Sequence, residues 1–358
     1  MEETSQRQAL QIAGISLDNP VMLAPMSGVT DLPFRRLALS FGAGAVVSEM
    51  VASKDLVSQR PHVLRRIHIP DDAPLSSGPN IVQLAGSEAH WMAEGARQAE
   101  ALGAGVIDIN MGCPAREVTG KQSGSALMRD VDHASTLIKA VVEASKVPVT
   151  LKMRLGWDDR TRNAPELAKR AEDLGVSLIT VHGRTRCQFF KDKANWRDIA
   201  DVKAAVSLPV VANGDINSPA DAQLALIESG ADGVMVGRGA YGAPWLPGRI
   251  AETLRTGVDP GSPSLDVQEQ TACSHVQAML AHYGSFLGLR NARKHIGWYL
   301  ESAGCEGADL KSWRRRLCTA VDPNAVLDGL AAFYALRRGQ ATHHASGHGT
   351  SPYREYAA

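Results

Sequence analysis

The feature that most constrains this chain is a unit repeated eight times between about residue 19 and residue 255. Each unit is a short apolar run, then a Gly-rich or polar turn, then a helical stretch. The apolar runs cover residues 21–24, 45–47, 81–84, 106–109, 147–151, 178–181, 210–212 and 234–236. Because the runs are continuous rather than alternating, they indicate strands buried on both faces of a parallel sheet.

Eight strand–helix units in roughly 240 residues match the size of a (β/α)8 barrel. Helix-start signals lie between the apolar runs. Ser218 followed by Pro219 is typical of an N-cap with Pro at the first helical position, and Asn163 precedes a similar start with Glu166. The sequence therefore predicts the α/β class, with a TIM (β/α)8 barrel over residues 12–257.

The character of the chain changes after Gly257. Residues 259–263 contain two prolines and a glycine and are typical of a linker. Only helical patterns follow up to about Arg338, so we expect a small all-α helical domain over residues 264–338. Residues 340–358 are rich in His, Gly, Ser and Thr and are expected to form a disordered tail.

Composition excludes several classes of protein. Lys plus Arg equals Asp plus Glu at 38 each, so any site for a polyanion must arise from local charge. No apolar run approaches the roughly 18 residues of a transmembrane helix, and the first residues lack the layout of a signal peptide. The five cysteines form no C-x-x-C pair, which favours a reducing compartment. We expect a cytoplasmic protein with no membrane association and no obligate protein partner.

A metal site is not expected. His343, His344 and His348 could pass for ligands, but they lie on a Gly- and Ser-containing tail without a framework to orient them.

Unusual polar residues collect where the predicted strands end. In a TIM barrel these ends meet at one face, where the active site lies. The residues at the eight ends are Pro25, Met26 and Ser27; Ser48 and Glu49; Gln83; residues 110–114; Lys152; residues 182–186; residues 213–215; and residues 237–239. One polar strand end means little, but eight in one register define a pocket.

The last two ends have the pattern of a phosphate cradle. Gly214 and Gly237 let the backbone approach a ligand closely, and the loops after strands seven and eight commonly bind phosphate. Residues 237–242 also match G-x-G-x-x-G. We do not favour a Rossmann site, because no strand follows to carry the acid that binds ribose.

Several segments resemble those of tRNA-dihydrouridine synthases, and most closely the bacterial B subfamily, which includes proteins long labelled nitrogen-regulation proteins. They are residues 24–26 (APM), 108–114 (DINMGCP), 181–185 (VHGRT), 212–216 (ANGDI) and 236–238 (VGR). The resemblance covers about residues 12–338. It implies non-covalent FMN as cofactor, NADPH as electron donor, and reduction of the uridine C5=C6 bond in the D-loop of tRNA, at position 17.

The resemblance also implies roles for individual residues. Cys113 would donate a proton to C5 of uracil while hydride from flavin N5 reaches C6. A cysteine thiol with its ordinary pKa of about 8.5 is protonated at neutral pH and can serve as an acid. The alternative for Cys113 is a small buried core cysteine.

Other positions would hold the cofactor or the substrate. The cofactor-binding set is Pro25, Met26, Ser27, Gln83, Lys152, His182, Asn213, Gly214, Asp215, Gly237 and Arg238. Asn110 and Arg184 would contact the substrate. Lys152 could instead form a capping salt bridge, and His182 could be a structural histidine.

The resemblance implies that the helical domain grips tRNA. The segment from His275 to Arg338 contains nine Lys or Arg and five Asp or Glu, which gives a local net charge of +4. Arg290, Lys294 and Trp298 are spaced four apart, so they share one helix face. Basic side chains with an aromatic ring suit phosphate contact and base stacking. A merely solvated helix face is the alternative.

Two other functions stay open from the sequence. One is a flavin barrel acting on a free pyrimidine, like a dihydroorotate dehydrogenase. The other is an RNA-binding regulator that has lost catalysis. The basic helical domain and residues 182–186 speak against the first, and the presence of Cys113, Lys152 and residues 213–215 speaks against the second.

Overall fold

Strand positions define the fold of the chain. The computed structural model describes residues 10–67, 69, 75, 77–120 and 122–346, without the side chains of residues 117 and 341–346. Two short strands, β1 (Gln11–Ile12) and β2 (Ile15–Ser16), form an antiparallel hairpin. The remaining strands are β3 (Val21–Leu23), β4 (Ala45–Val46), β5 (Val51–Ala52), β6 (Ile81–Ala85), β7 (Val106–Met111), β8 (Val149–Arg154), β9 (Leu178–His182), β10 (Val210–Asn213) and β11 (Gly233–Val236).

These nine strands form one parallel sheet in the order β4-β3-β11-β10-β9-β8-β7-β6-β5. A parallel bridge between Val47 and Ile81 joins β4 to β6, and Ser48 N donates to the Ile81 carbonyl at 2.9 Å. The sheet therefore closes, with β4 and β5 as two halves of the second barrel strand. The predicted TIM barrel is confirmed, and each predicted apolar run contains a strand.

Helices alternate with the barrel strands along the described chain. They are α1 (Leu32–Ser40), α2 (Ser53–Val57), α3 (Pro61–Ile67), α4 (Ala89–Ala101), α5 (Arg116–Thr119), α6 (Val131–Ala144), α7 (Ala164–Asp173), α8 (Arg197–Ala205), α9 (Pro219–Ser229) and α10 (Leu246–Thr256). Ser218 caps α9 as predicted, since its side chain accepts a hydrogen bond from Asp221 N. Asn163 precedes α7 but does not cap it, because its side-chain amide donates to the Met128 carbonyl instead.

The hairpin fills one end of the barrel. Its apolar residues Leu10, Ile12 and Leu17 are buried in a cluster with the first residues of several strands, including Ile81 and Val106. Burial of this apolar surface stabilises the end opposite the carboxyl ends of the strands. That arrangement leaves the other face for ligands.

The chain divides into two compact units. One contains the chain up to Ala240 and Pro244–Ser262; the other contains Tyr241–Ala243 and the chain from Pro263 onward. The second unit is helical, with α11 (Leu265–Tyr283), α12 (Ser285–Ser302), α13 (Gly307–Thr319) and α14 (Pro323–Ser346).

The helices of the second unit pack around their own core, which includes Tyr299, Leu300, Leu330 and Phe333. The last helix, α14, continues to Ser346, so the tail expected from residue 340 does not begin there. Residues 347–358, with His348, lie outside the described residues, as do the side chains of His343 and His344.

Among the helices that the structure describes, none is both long and apolar enough to cross a membrane.

Candidate active site

The polar strand ends meet at one face of the barrel. Neighbouring strands place Gln83 beside Asp108, Asn110 beside Lys152, and His182 beside Asn213. Most of these side chains are buried, with Gln83 1% exposed and Asn110 7% exposed. The predicted pocket residues of the barrel are thus brought together by strand register.

A buried hydrogen-bond network leads to Cys113. Asp108 accepts from Gln83 Nε2 at 2.7 Å and from Thr150 Oγ1 at 2.7 Å. Gln83 Oε1 accepts from Asn110 Nδ2 at 2.7 Å, and Asn110 Oδ1 accepts from the Cys113 amide at 3.0 Å. Burial raises the pKa of Asp108, although its two hydrogen bonds oppose that shift. The network fixes the backbone of Cys113 to the barrel wall.

The loop that carries Cys113 is held from two further sides. The Cys113 carbonyl accepts from Ser125 N at 3.1 Å and from Ser125 Oγ at 2.8 Å. Gly124 has a φ of +60°, and a Cβ there would lie 2.8 Å from the Cys113 carbonyl oxygen. Only glycine tolerates both conditions, so this position shapes the loop. The thiol residue itself is half-buried.

Two buried cations lie close to Cys113. Lys152 Nζ donates to Asn213 Oδ1 at 3.1 Å, and Arg154 donates only to backbone carbonyls. In the part of the chain that the structure describes, neither has a carboxylate within salt-bridge distance. Burial and the charge of Arg154 lower the pKa of Lys152 to about 8. The charges of Asp108 and Cys113 oppose this shift of the Lys152 pKa. Buried cations that form no direct ion pair favour an anionic ligand, because charge away from water is costly.

His182 lies beside these cations. Burial, followed by the charges of Arg154 and Lys152, lowers the pKa of His182 well below its usual range. The ring is therefore neutral at pH 7 and can accept or donate a hydrogen bond. Its Nε2 lies 3.2 Å from Arg184 Nη1.

Arg184 is buried in a hydrogen-bonded ion pair with Asp215. Arg184 is 1% exposed, and all three of its guanidinium nitrogens have protein partners: the Asp215 carboxylate, His182, and the carbonyls of Lys191 and Asp192. Burial would raise the pKa of Asp215, but the hydrogen bonds from Arg184 and Ala194 outweigh it, and the pKa is lowered. Arg184 therefore shapes the loop after β9 rather than presenting free donors to a substrate.

Gly214, Asp215, Gly237 and Arg238 form a small cradle of backbone. Their four amides donate to no protein acceptor among the described residues. Gly214 has a φ of +115°, and a Cβ on Gly237 would meet nothing closer than 3.9 Å. Arg238 is exposed and donates to Asp215 at 3.0 Å. Unpaired amides beside a cation suit a phosphate.

The loop after β3 differs in detail from the expectation. Met26 N donates to Thr30 Oγ1 at 2.8 Å, and the Met26 carbonyl accepts from the amides of Val29 and Thr30. These bonds occupy the backbone N–H that Met26 was expected to offer a ligand. Pro25 is half-buried and Ser27 is exposed at the same loop.

Sequence reasoning missed three residues of the site. Asp108 was hidden in an apolar run, although it is the one acid within residues 106–109 and could have been noticed. Arg154 follows Lys152 by two positions, so both point to the same side of β8. Phe190 is 51% exposed and has Arg238 at 5.0 Å and Arg154 at 5.3 Å from its ring centroid.

The predicted RNA-contacting residues lie on α12 in the helical unit. Arg290 is exposed and Lys294 is half-buried. Trp298 stacks on Tyr241 with ring centroids 3.9 Å apart, so one face of its indole is already covered.

Comparison with known proteins gives one consistent result. The family model for dihydrouridine synthase matches residues 22–336. A probable tRNA-dihydrouridine synthase of Rhodobacter capsulatus is 53% identical over 329 residues, which cover 92% of this chain and 98% of the relative. The tRNA-dihydrouridine synthase B of Pseudomonas putida is 45% identical, with 92% and 96% covered.

Among solved structures, a histamine dehydrogenase from Rhizobium sp. 4-9 is similar with a TM-score of 0.53 and 14% identity. The match covers 76% of this chain and half of that one, and it supports the barrel fold alone. The sequence matches extend over nearly the whole described barrel and the helical unit. This chain belongs to the dihydrouridine synthase family.

Proposed function

We propose that this protein is a tRNA-dihydrouridine synthase that uses non-covalent FMN and NADPH to reduce the uridine C5=C6 bond. The observation that carries the proposal is the position of Cys113, held by Asn110 beside two buried cations that form no direct ion pair among the described residues. We further propose that it acts in the cytoplasm, on position 17 of the D-loop.

The residues present fit a flavin mononucleotide. The amides of the cradle and the exposed Arg238 suit its single phosphate, and Lys152 suits the electron-rich edge of the ring. His182, Asn213 and Gln83 would offer further polar atoms, and Pro25, Met26 and Ser27 would border the ring. When bound and reduced, this cofactor supplies a hydride.

The protein's own contribution to the chemistry is a positioned acid. Uracil reduced at C6 carries negative charge that extends from C5 to the C4 oxygen, and C5 then takes a proton from the Cys113 thiol. Asn110 keeps one amide hydrogen beyond its bond to Gln83 and can bind a uracil carbonyl. Lys152 and Arg154 give the site a positive potential that stabilises the negative charge as it forms.

The direct test is product formation. The purified protein is incubated with NADPH and an unmodified tRNA transcript, and dihydrouridine is measured by nucleoside mass spectrometry. We expect a yellow protein that releases FMN on denaturation and forms dihydrouridine in the transcript. Activity on free dihydroorotate or uracil without activity on tRNA would favour the free-pyrimidine alternative. Failure to retain added FMN would favour a non-catalytic RNA-binding protein.

We propose that Arg290 and Lys294 contact tRNA phosphates. Replacing both by Ala is expected to weaken tRNA binding without changing flavin content. Each lost contact should reduce the log–log salt slope by about 0.7 to 0.9, because fewer counterions are released. The control is Arg255→Ala, since Arg255 is exposed but paired with Glu252 at 2.6 Å. An unchanged slope in the double variant would show that this helix face is only solvated.

The electron donor and the modified position in tRNA can each be tested separately. Comparing NADPH with NADH in the reduction of the bound flavin tests the donor. Mapping dihydrouridine in tRNA from a strain that lacks this gene tests position 17.

A further inference from the structure

A second cavity opens in the barrel unit next to the loop that carries Cys113. Its volume is about 530 Å³, within the range of ligand pockets. Its walls come from the segments after β5 and β6 and from the Cys113 loop. The residues that matter here are Lys54, His62, Arg66, Glu88, Trp91 and Val118.

Gly124 lies between the cavity wall and Cys113. A Cβ on Gly124 would lie 2.8 Å from Val118 Cγ1 and 3.3 Å from Cys113 Cβ. Val118 lines the cavity, so Cys113 and the cavity wall flank the same glycine. A ligand in this cavity would therefore adjoin the site of chemistry.

Three basic side chains that line the cavity, Lys54, His62 and Arg66, suit an anionic group. Lys54 is exposed, and no ion pair to Lys54, His62 or Arg66 occurs among the residues that the structure describes. Asp55 also lines the cavity but is paired with Arg60 at 3.3 Å. The lining therefore has two cations, Lys54 and Arg66, and two carboxylates, Asp55 and Glu88, and one of those carboxylates is already paired with Arg60.

The aromatic wall is Trp91. It is half-buried, and Lys54 Nζ lies 5.4 Å from its ring centroid. In nucleotide recognition, a lysine ammonium group contacts the phosphate and an aromatic ring stacks on the base. Lys54 and Trp91 offer both groups side by side. The Glu88 carboxylate can accept a hydrogen bond from a ribose hydroxyl.

We propose that this cavity binds a ribonucleotide, with its phosphate at Lys54, His62 and Arg66 and its base against Trp91. The inference rests on the proposed function, which supplies two sources of that chemistry. One is a nucleotide of the tRNA substrate next to the reacting uridine. The other is the adenosine half of the dinucleotide that reduces the flavin.

The test uses Lys54→Ala and Trp91→Leu in the flavin-loaded protein. Arg66 is left unchanged because its Nη1 donates to the Met50 carbonyl at 3.2 Å and its loss would disturb the fold. The control is Lys139→Ala, an exposed lysine on α6 that does not line the cavity and pairs with Glu143 at 3.7 Å. Equilibrium binding of NADPH and of an unmodified tRNA transcript is measured for each protein, followed by the rates of the two half-reactions.

We expect the dissociation constant of one of the two ligands to rise about tenfold in each cavity variant and to stay unchanged in the control. A rise for tRNA assigns the cavity to the RNA, and a rise for NADPH assigns it to the dinucleotide. Unchanged binding of both ligands by both variants would overturn the inference. Binding is measured without turnover, so a wild-type protein that forms no dihydrouridine would count against the proposed function alone.

Discussion

At the scale of single residues, Cys113 and Lys152 carry the chemistry that we propose. The Cys113 amide donates to Asn110 Oδ1, and the Cys113 carbonyl accepts from Ser125 Oγ, so both bonds are made by its backbone. Because these backbone bonds do not depend on the thiol, a small side chain can replace it without removing them.

Cys113→Ala is expected to fold, hold flavin and be reduced by NADPH like the wild type. Its reoxidation by tRNA should slow by about 10²- to 10⁴-fold, the usual contribution of a general acid. Stopped-flow flavin absorbance measures both half-reactions. The matched control is Cys187→Ala, because Cys187 is an exposed free cysteine. Reoxidation at the wild-type rate would show that Cys113 is not the acid, and loss of flavin would show a structural role.

Lys152 predicts how flavin affinity depends on pH. Burial and Arg154 lower the pKa of Lys152 to about 8. The electron-rich edge of the flavin ring accepts a hydrogen bond from the protonated lysine, so affinity is higher at pH 7 and falls as the pH rises through about 8. Flavin dissociation constants between pH 7 and 9 measure this. Lys152→Met should bind flavin more weakly at pH 7 and lose the pH step. A wild-type affinity that does not change with pH would contradict the assignment.

At the scale of elements, Arg154 on β8 connects neighbouring loops. Arg154 Nε donates to the Gly112 carbonyl at 2.8 Å, and Nη1 donates to the carbonyls of Thr185 and Phe189 at 2.9 and 2.8 Å. Burial and Arg184 lower the pKa of Arg154 to about 10, so it remains charged at neutral pH. The loops after β7 and β9 thus share one anchor.

Arg154→Lys is expected to keep the charge and lose the planar fork that reaches several carbonyls. Leaving buried acceptors unsatisfied costs about 1–3 kcal/mol each, so we expect at least about 2 kcal/mol lower stability in urea unfolding. Because Gly112 precedes Cys113, reoxidation by tRNA should slow more than reduction by NADPH. Equal slowing of both half-reactions would indicate a general loss of structure instead.

At the scale of the whole molecule, the helical unit makes stability sensitive to acid. His275 and His295 are buried there with ring centroids 4.7 Å apart. Burial lowers the pKa of His275 to about 3. Burial and the charges of His275 and Lys294 lower the pKa of His295 well below its usual range. Both rings are neutral in the folded protein.

These shifts predict how stability changes with pH. Below the unfolded pKa of about 6.5 the unfolded chain binds protons that the folded chain does not, so stability is full above that value and falls as the pH drops. Each histidine contributes a slope of about 1.4 kcal/mol per pH unit between about 6 and its folded pKa. Urea unfolding from pH 7.5 to 4.5 measures it. His275→Gln should reduce the slope, and an identical slope in the variant would contradict the prediction.

Much of the fold was predictable because it depends on local period and chemistry. Continuous apolar runs favour buried parallel strands, and eight of them at similar spacing leave few arrangements besides a barrel. The residues at the strand ends followed directly, since parallel strands all end at the same face. The second half of the broken second strand, the N-terminal hairpin and the extent of α14 were not predicted, because short or polar segments carry weak patterns.

The sequence by itself determined which residue types stand at the predicted strand ends, because residue type and strand position are local properties. Only the tertiary structure decided the partner of each polar group. Lys152 donates a hydrogen bond to Asn213, which is 61 residues away, and Arg184 forms an ion pair with Asp215, 31 residues away. Such partners are set when the barrel closes, and buried polar groups must then pair with whatever closure places beside them. Within the described residues, the same closure left Lys152 and Arg154 without a direct ion pair, which spacing along the chain does not reveal.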